Sequence, residues 1–155
     1  MTPDEHATNI GKLLSNLQSL ELLLRIFLCE HNHEDTGIPS TQDVEVPLTH
    51  LTNYDVLNVL VEKYNRIALT HSPNLAIDGS VVLLRDTLAH GRVLSSSALP
   101  PMRIFKFGRP NGATVTKVFD EVLDDDWFNR NGNFVHDQMT KVRTFGTACG
   151  FPSFQ

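Results

Sequence analysis

Between Ile10 and Leu28 the chain places Ile10, Leu13, Leu14, Leu17, Leu20, Leu24, Phe27 and Leu28 at helical spacing. Only a helix gathers side chains so spaced on one side. The stripe predicts one long helix from near Pro3 to near His31, with those residues as core. From Leu20 onward, Leu22, Leu23 and Ile26 add apolar residues off the stripe, so this stretch is hydrophobic nearly all round and needs two burying surfaces. A subunit interface is one candidate for the second.

The chain of 155 residues has the usual length of one domain and can bury a core without a disulfide or structural metal, so a single domain over residues 1–155 is expected. A hydrophobic fraction of 41% and a charged fraction of 20% argue against disorder and coiled coil. No apolar run approaches the roughly 18 residues of a membrane span; the longest, Leu22 to Cys29, is broken by Arg25. The opening MTPDEHATN lacks the basic start and apolar stretch of a signal peptide, so a cytoplasmic location without membrane partners is expected. Cys29 and Cys149 are then expected to be buried free thiols.

Net charge is −5, but it is unevenly spread. Residues 1–62 carry ten acidic side chains against Lys12 and Arg25, whereas residues 63–118 carry eight basic ones against Asp78 and Asp86. A locally cationic middle can draw nucleic acid to one face of an acidic protein, although scattered surface charge gives the same count.

Beyond the first helix, residues 32–51 contain Gly37, Pro39 and Pro47 and read as a surface connection. A second helix follows an N-cap at Thr52 or Asn53, has Val56, Leu57, Leu60, Tyr64, Ile67 and Ala68 as its apolar face, and ends at His71 to Pro73. A third begins between Asn74 and Asp78, carries Val81, Val82, Leu84 and Leu88, and stops at Gly91 as a left-handed cap. After Ser95, Ser96 and Ser97 the pattern alternates, with Met102, Ile104, Phe105 and Phe107, then Asn111-Gly112, then Val115 and Val118. That is the pattern of a β-hairpin. Asp124, Asp125 and Asp126 place negative charge at the start of a last helix, as its dipole favours. Trp127 and the phenylalanines read as core, not as base-stacking platforms.

The end of the third helix reads RDTLAHG, Arg85 to Gly91. This resembles the HEPN ribonuclease motif, an arginine, a polar residue and, after four to six intervening positions, a histidine; LLRDTLAHGRV followed by PMRIFKF also looks like uncharacterised bacterial HEPN-like proteins. The fold expected on this resemblance is all-α: a four-to-five-helix HEPN-like bundle with a small β-hairpin inserted between the third and last helices. Arg25 to His31, Arg66 to His71 and Arg130 to His136 meet the same bare spacing. Only Arg85 combines a polar successor, Asp86, with a place at the end of the third helix.

On an ideal helix Arg85 and His90 point about 140° apart, whereas Asp86 and His90 share a face, so Asp86 can orient the imidazole. Uniting Arg85 with His90 therefore requires an unwound helix end or a second copy of the chain. The resemblance implies the second, a homodimer. Histidine suits removal of the ribose 2′-hydroxyl proton and arginine suits the charge developing on phosphate, a cleavage needing neither metal nor cofactor. RNA would be cut and DNA would not. Arg92, Lys106 and Arg109 are candidates for flanking phosphates.

The resemblance implies a toxin or phage-defence setting, with an antitoxin or regulatory protein as partner. Some HEPN toxins are modified on a tyrosine two positions after the motif histidine, but Arg92 stands there, which puts that regulation in doubt. The alternatives are a catalytically inactive HEPN-like RNA-sensing or protein-interaction module and a purely structural dimerisation domain. In the structural reading, His90 and Gly91 merely finish a helix and Arg85 pairs with a neighbouring carboxylate. Cys29, His31, His33, Glu34 and Asp35 include metal-ligand types but match no closed site; they read as a solvated helix end.

Overall fold

The computed structural model describes residues 1–38, 40–96 and 99–155. Pro39, placed in the long connection, and Ser97, placed at the change of pattern, lie outside the described residues. The elements follow the order α1 (Pro3–His31), α2 (Leu57–His71), α3 (Ser80–His90), β1 (Arg92–Ser96), β2 (Leu99–Phe107), β3 (Lys117–Val122) and α4 (Asp125–Ala148), with short 3-10 turns at Pro73–Leu75 and Pro152–Phe154. Among the described residues no helix is long and apolar enough to cross a membrane.

The all-α expectation is overturned. The three strands form an antiparallel sheet in the order β1-β2-β3, so the fold combines helices with a sheet rather than carrying a hairpin as an ornament. The missing strand was β1, which is separated from α3 by Gly91 alone. Its Arg92, Val93 and Leu94 are all exposed, so it lacks the alternation that betrays a half-buried strand. It is an edge strand defined by backbone pairing to β2, with Arg92 opposite Phe105 and Val93 opposite Ile104.

Two compact units divide the chain. One comprises Met1–Leu17 and Ser80–Val135, the other Gln18–Gly79 and His136–Gln155. In the first unit Leu13, Leu17, Val81, Leu84, Ile104, Leu123, Trp127 and Val135 are buried. Ile104 projects from the central strand, which packs against α3, and the Leu123 amide donates to the Met102 carbonyl at 2.8 Å, tying the end of β3 to β2. Trp127 and Phe128 meet edge to face at 5.1 Å, a geometry that favours aromatic pairs. The Asp124 carboxylate accepts the Trp127 amide at 2.8 Å, so Asp124 caps α4 while Asp125 and Asp126 occupy its first turn.

The second unit buries Leu20, Leu24, Phe27, Leu28, Leu57, Leu60, Tyr64, Ala68, Val142 and Phe145. Phe27 is the hub of its aromatic contacts, with Tyr64 and Phe145 each at 4.9 Å and Phe151 at 5.3 Å. Tyr64 donates its hydroxyl to the Leu75 carbonyl, and Asn65 brackets the Ile77 backbone with two hydrogen bonds of 2.7 and 2.8 Å. Leu22, in contrast, is exposed, and Leu23 and Ile26 are half-buried. Cys29 is buried but Cys149 is exposed, unlike the paired expectation of buried thiols.

Three further expectations need correction. The N-cap of α2 is Val56, without a side-chain cap, because Thr52 and Asn53 are engaged elsewhere: Thr52 closes a turn with Thr49, and Asn53 bonds Asp55 and Arg25. At the hairpin, Gly112 alone takes a positive φ, of 61°, between the bridged Asn111 and Thr114, so Asn111 is not a central turn residue. Gly91 is not in the left-handed region. A Cβ there would run into the Thr87 carbonyl and lie 3.0 Å from the Ile104 side chain, so glycine is needed for close approach.

Candidate functional site at the end of helix α3

Helix α3 buries Val81, Leu84 and Thr87 at three-residue intervals, the spacing that keeps side chains on one face. The intervening polar residues are thereby turned outward: Arg85 and His90 are exposed and Asp86 is half-buried. The helix remains regular through His90, so its end does not unwind to unite Arg85 with His90 within one chain. Among the described residues Arg85 forms no hydrogen bond or ion pair.

Asp86 is shared unequally. One oxygen is ion-paired with the Lys106 ammonium, and the other lies 3.8 Å from His90 Nε2, beyond hydrogen-bond length. Asp86 and His90 do share a face, but at this separation Asp86 holds the imidazole, 66% exposed, only by a loose charge contact. Lys106 is brought to the motif because it lies on the same face of β2 as Ile104, facing α3. Its ammonium is committed to Asp86 on a side chain only 18% exposed, so it does not stand free for phosphate.

Neither of the other two candidate phosphate ligands forms a hydrogen bond or ion pair with this cluster among the described residues. Arg92 begins β1 and lays its guanidinium over the Phe107 ring, 5.3 Å from the centroid. Arg109 follows β2, is exposed, and has no hydrogen-bond or ion-pair partner among the described residues. Asp86 thus gathers His90 and Lys106 at the end of α3, where Arg85 also stands exposed.

Among the competing arginine–histidine spacings, Arg25 has a structural role. Arg25 donates to the His50, Asn53 and Asp55 carbonyls at 3.0, 3.0 and 2.6 Å, and pairs with Glu21 at 3.0 Å. It pins the connection before α2. Arg130 lies 4.0 Å from Glu121, and the His71 ring packs edge to face on Phe145 at 4.9 Å.

A second polar cluster was not foreseen. His50 Nδ1 meets Glu34 at 2.9 Å, its Nε2 lies 3.4 Å from the Lys63 ammonium, and Lys63 pairs with Asp55 at 2.7 Å. Burial works against the Glu34 charge, but the His50 backbone amide and ring more than offset it, leaving the carboxyl below its usual range. Lys63 likewise lowers Asp55. Both ring nitrogens of His50 are occupied internally, so the cluster reads as a clamp on the connection. Glu34 and His50 are 16 residues apart and fall in no recognisable motif. Among the described residues no three His, Cys, Asp or Glu side chains converge as metal ligands.

Comparison with protein-family models, with curated proteins and with solved structures returns no match to this chain.

Proposed function

We propose that this chain is a metal-independent endoribonuclease whose site is completed by a second copy, with Arg85 and His90 as the reacting pair. One observation carries the reading: Arg85, which a structural role would pair with a carboxylate of its own chain, stands exposed and without a partner among the described residues, at the same helix end as an exposed His90. The resemblance of RDTLAHG to the HEPN motif supplies the expected chemistry, and the regular helix leaves the union of the two residues to a dimer.

In this reaction His90 takes the proton of a ribose 2′-hydroxyl. The freed oxygen forms a bond to the adjacent phosphorus, the bond from phosphorus to the 5′-oxygen breaks, and that oxygen leaves after taking a proton from an imidazolium or water. Arg85 stabilises the charge that builds on the phosphate oxygens. The products are a 2′,3′-cyclic phosphate and a 5′-hydroxyl. A toxin or phage-defence effector, restrained by an antitoxin or regulator, is the setting that the resemblance adds.

A second reading has its own support. Because Lys106 holds Asp86 and His90 remains largely solvated, a HEPN-like module that senses RNA or docks a protein without chemistry is the alternative. Incubation with mixed RNA in EDTA separates the two. Fragments ending in cyclic phosphate, lost in both Arg85→Ala and His90→Ala, support the nuclease; intact RNA across many substrates supports the module, and cleavage surviving both substitutions overturns the site.

A further inference from the structure

The sheet surface turned away from α3 combines aromatic rings with cations. Residues directly opposite in an antiparallel pair share a face, so the pairing of Arg92 with Phe105 and of Phe105 with Asp120 puts all three on one side. Arg103 and Phe107 join them by the two-residue period of β2, and Lys117, opposite Phe107 across a shift in register, is brought to the same side by its ion pair with Asp120. Ile104 and Lys106 take the other side, facing the helix. Phe105 and Phe107 meet edge to face with centroids 5.6 Å apart, and Phe107 is 36% exposed although it is a large apolar residue. These two phenylalanines depart from the expectation that the aromatics serve only the core.

Charge surrounds the rings. Arg92 covers part of Phe107, and Arg103 and Lys117 both pair with Asp120 while remaining about half exposed. Three cations against one carboxylate leave this face positive in a protein whose net charge is −5. We infer that the outer face of the β1-β2-β3 sheet is a stacking platform for single-stranded RNA, with Phe105, Phe107 and the Arg92 guanidinium plane lying over Phe107 receiving bases, and Arg103 and Lys117 meeting the backbone.

The chemistry selects this occupant. An unpaired base offers a flat π surface to an aromatic ring and carries a phosphate within reach of neighbouring cations, whereas a duplex keeps its bases stacked internally. A second copy of the chain would bring the same positive face against itself. The choice of RNA over single-stranded DNA rests on the ribonuclease reading; the platform itself does not.

The test is fluorescence anisotropy of a labelled oligouridylate on full-length protein, with His90→Ala as the background so that the strand stays intact. Phe107→Ala and Phe107→Leu are each expected to weaken binding about 10-fold, Phe107→Trp to retain it, and Arg92→Gln to weaken it several-fold. Unchanged affinity in Phe107→Leu overturns the platform, since leucine keeps the apolar bulk and loses the π face. It is also overturned if Phe107→Ala turns a dimer into a monomer while RNA affinity holds, because the face is then a subunit interface. Phe107-dependent binding in a protein that cuts no RNA leaves the platform standing and removes only the nuclease.

Discussion

The Lys106 ammonium on β2 is ion-paired with the Asp86 carboxylate on α3, so the central strand of the sheet is fastened to the residue between Arg85 and His90. Lys106 is mostly buried and Asp86 is 41% exposed, which places the pair between a surface contact and a core one. A double-mutant cycle on Asp86→Ala and Lys106→Met is expected to give a coupling of about 0.5–1 kcal/mol in urea denaturation. A coupling near zero would show that the pair does not hold the sheet to the motif helix.

Gly91 links α3 to β1 with the Thr87 carbonyl and Ile104 closing on the space a Cβ would need. Gly91→Ala is expected to destabilise the protein by about 2 kcal/mol through overpacking. Gly91→Asn separates the two roles of glycine here. Asparagine tolerates a left-handed cap and would be mild there, but against Ile104 it must cost at least as much as alanine.

Arg25 holds three backbone carbonyls before α2. Arg25→Met is expected to lower stability by about 3 kcal/mol, because the carbonyls and Glu21 lose their shared donor together. RNA cleavage by the fraction that remains folded should be unchanged, which would set the Arg25 to His31 spacing apart from the proposed site.

The clamp made by Glu34, His50, Lys63 and Asp55 has a defined acid response. Glu34 and Asp55 are both held below their usual carboxylate range, so their contribution is fully present above the unfolded pKa values near 4 and is lost as pH falls through the lower folded values. Glu34→Gln is expected to cost about 1.5 kcal/mol at pH 7 and to flatten the loss of stability in acid. A variant with the wild-type slope below pH 4 would show that Glu34 does not drive the response.

The elements read correctly from the sequence are those whose cause is local. The apolar stripe from Ile10 to Leu28 lies within α1, and Asp124 to Asp126 mark the start of α4 through capping and dipole effects that act within one turn. Strand β1 was hidden because Arg92 to Leu94 do not alternate between buried and exposed; only their pairing with β2 makes them a strand. The start of α2 was misplaced because Thr52 and Asn53 have capping chemistry but spend it on their own turn and on Arg25.

The site divides in the same way. The divergence of Arg85 from His90, and the face that His90 shares with Asp86, follow from helical spacing and were legible. The capture of Asp86 by Lys106 was not, since it joins residues 20 apart through the packing of a strand on a helix. The exposure of Phe107 escaped for a related reason: its side of the strand is decided by which face of the sheet α3 covers.

The central claim is that Arg85 and His90 from different copies form one reacting site, and subunit mixing tests it most directly. Arg85→Ala and His90→Ala proteins, each expected to be inactive alone, are unfolded together, refolded as a mixture and assayed on RNA in EDTA. Mixed dimers retain one intact Arg85 and one intact His90 on opposite copies, so cleavage to cyclic phosphate is expected to return to a measurable fraction of the wild-type rate. A refolded mixture shown to contain mixed dimers, yet as inactive as either variant alone when the wild type cuts the same RNA, would contradict the shared site.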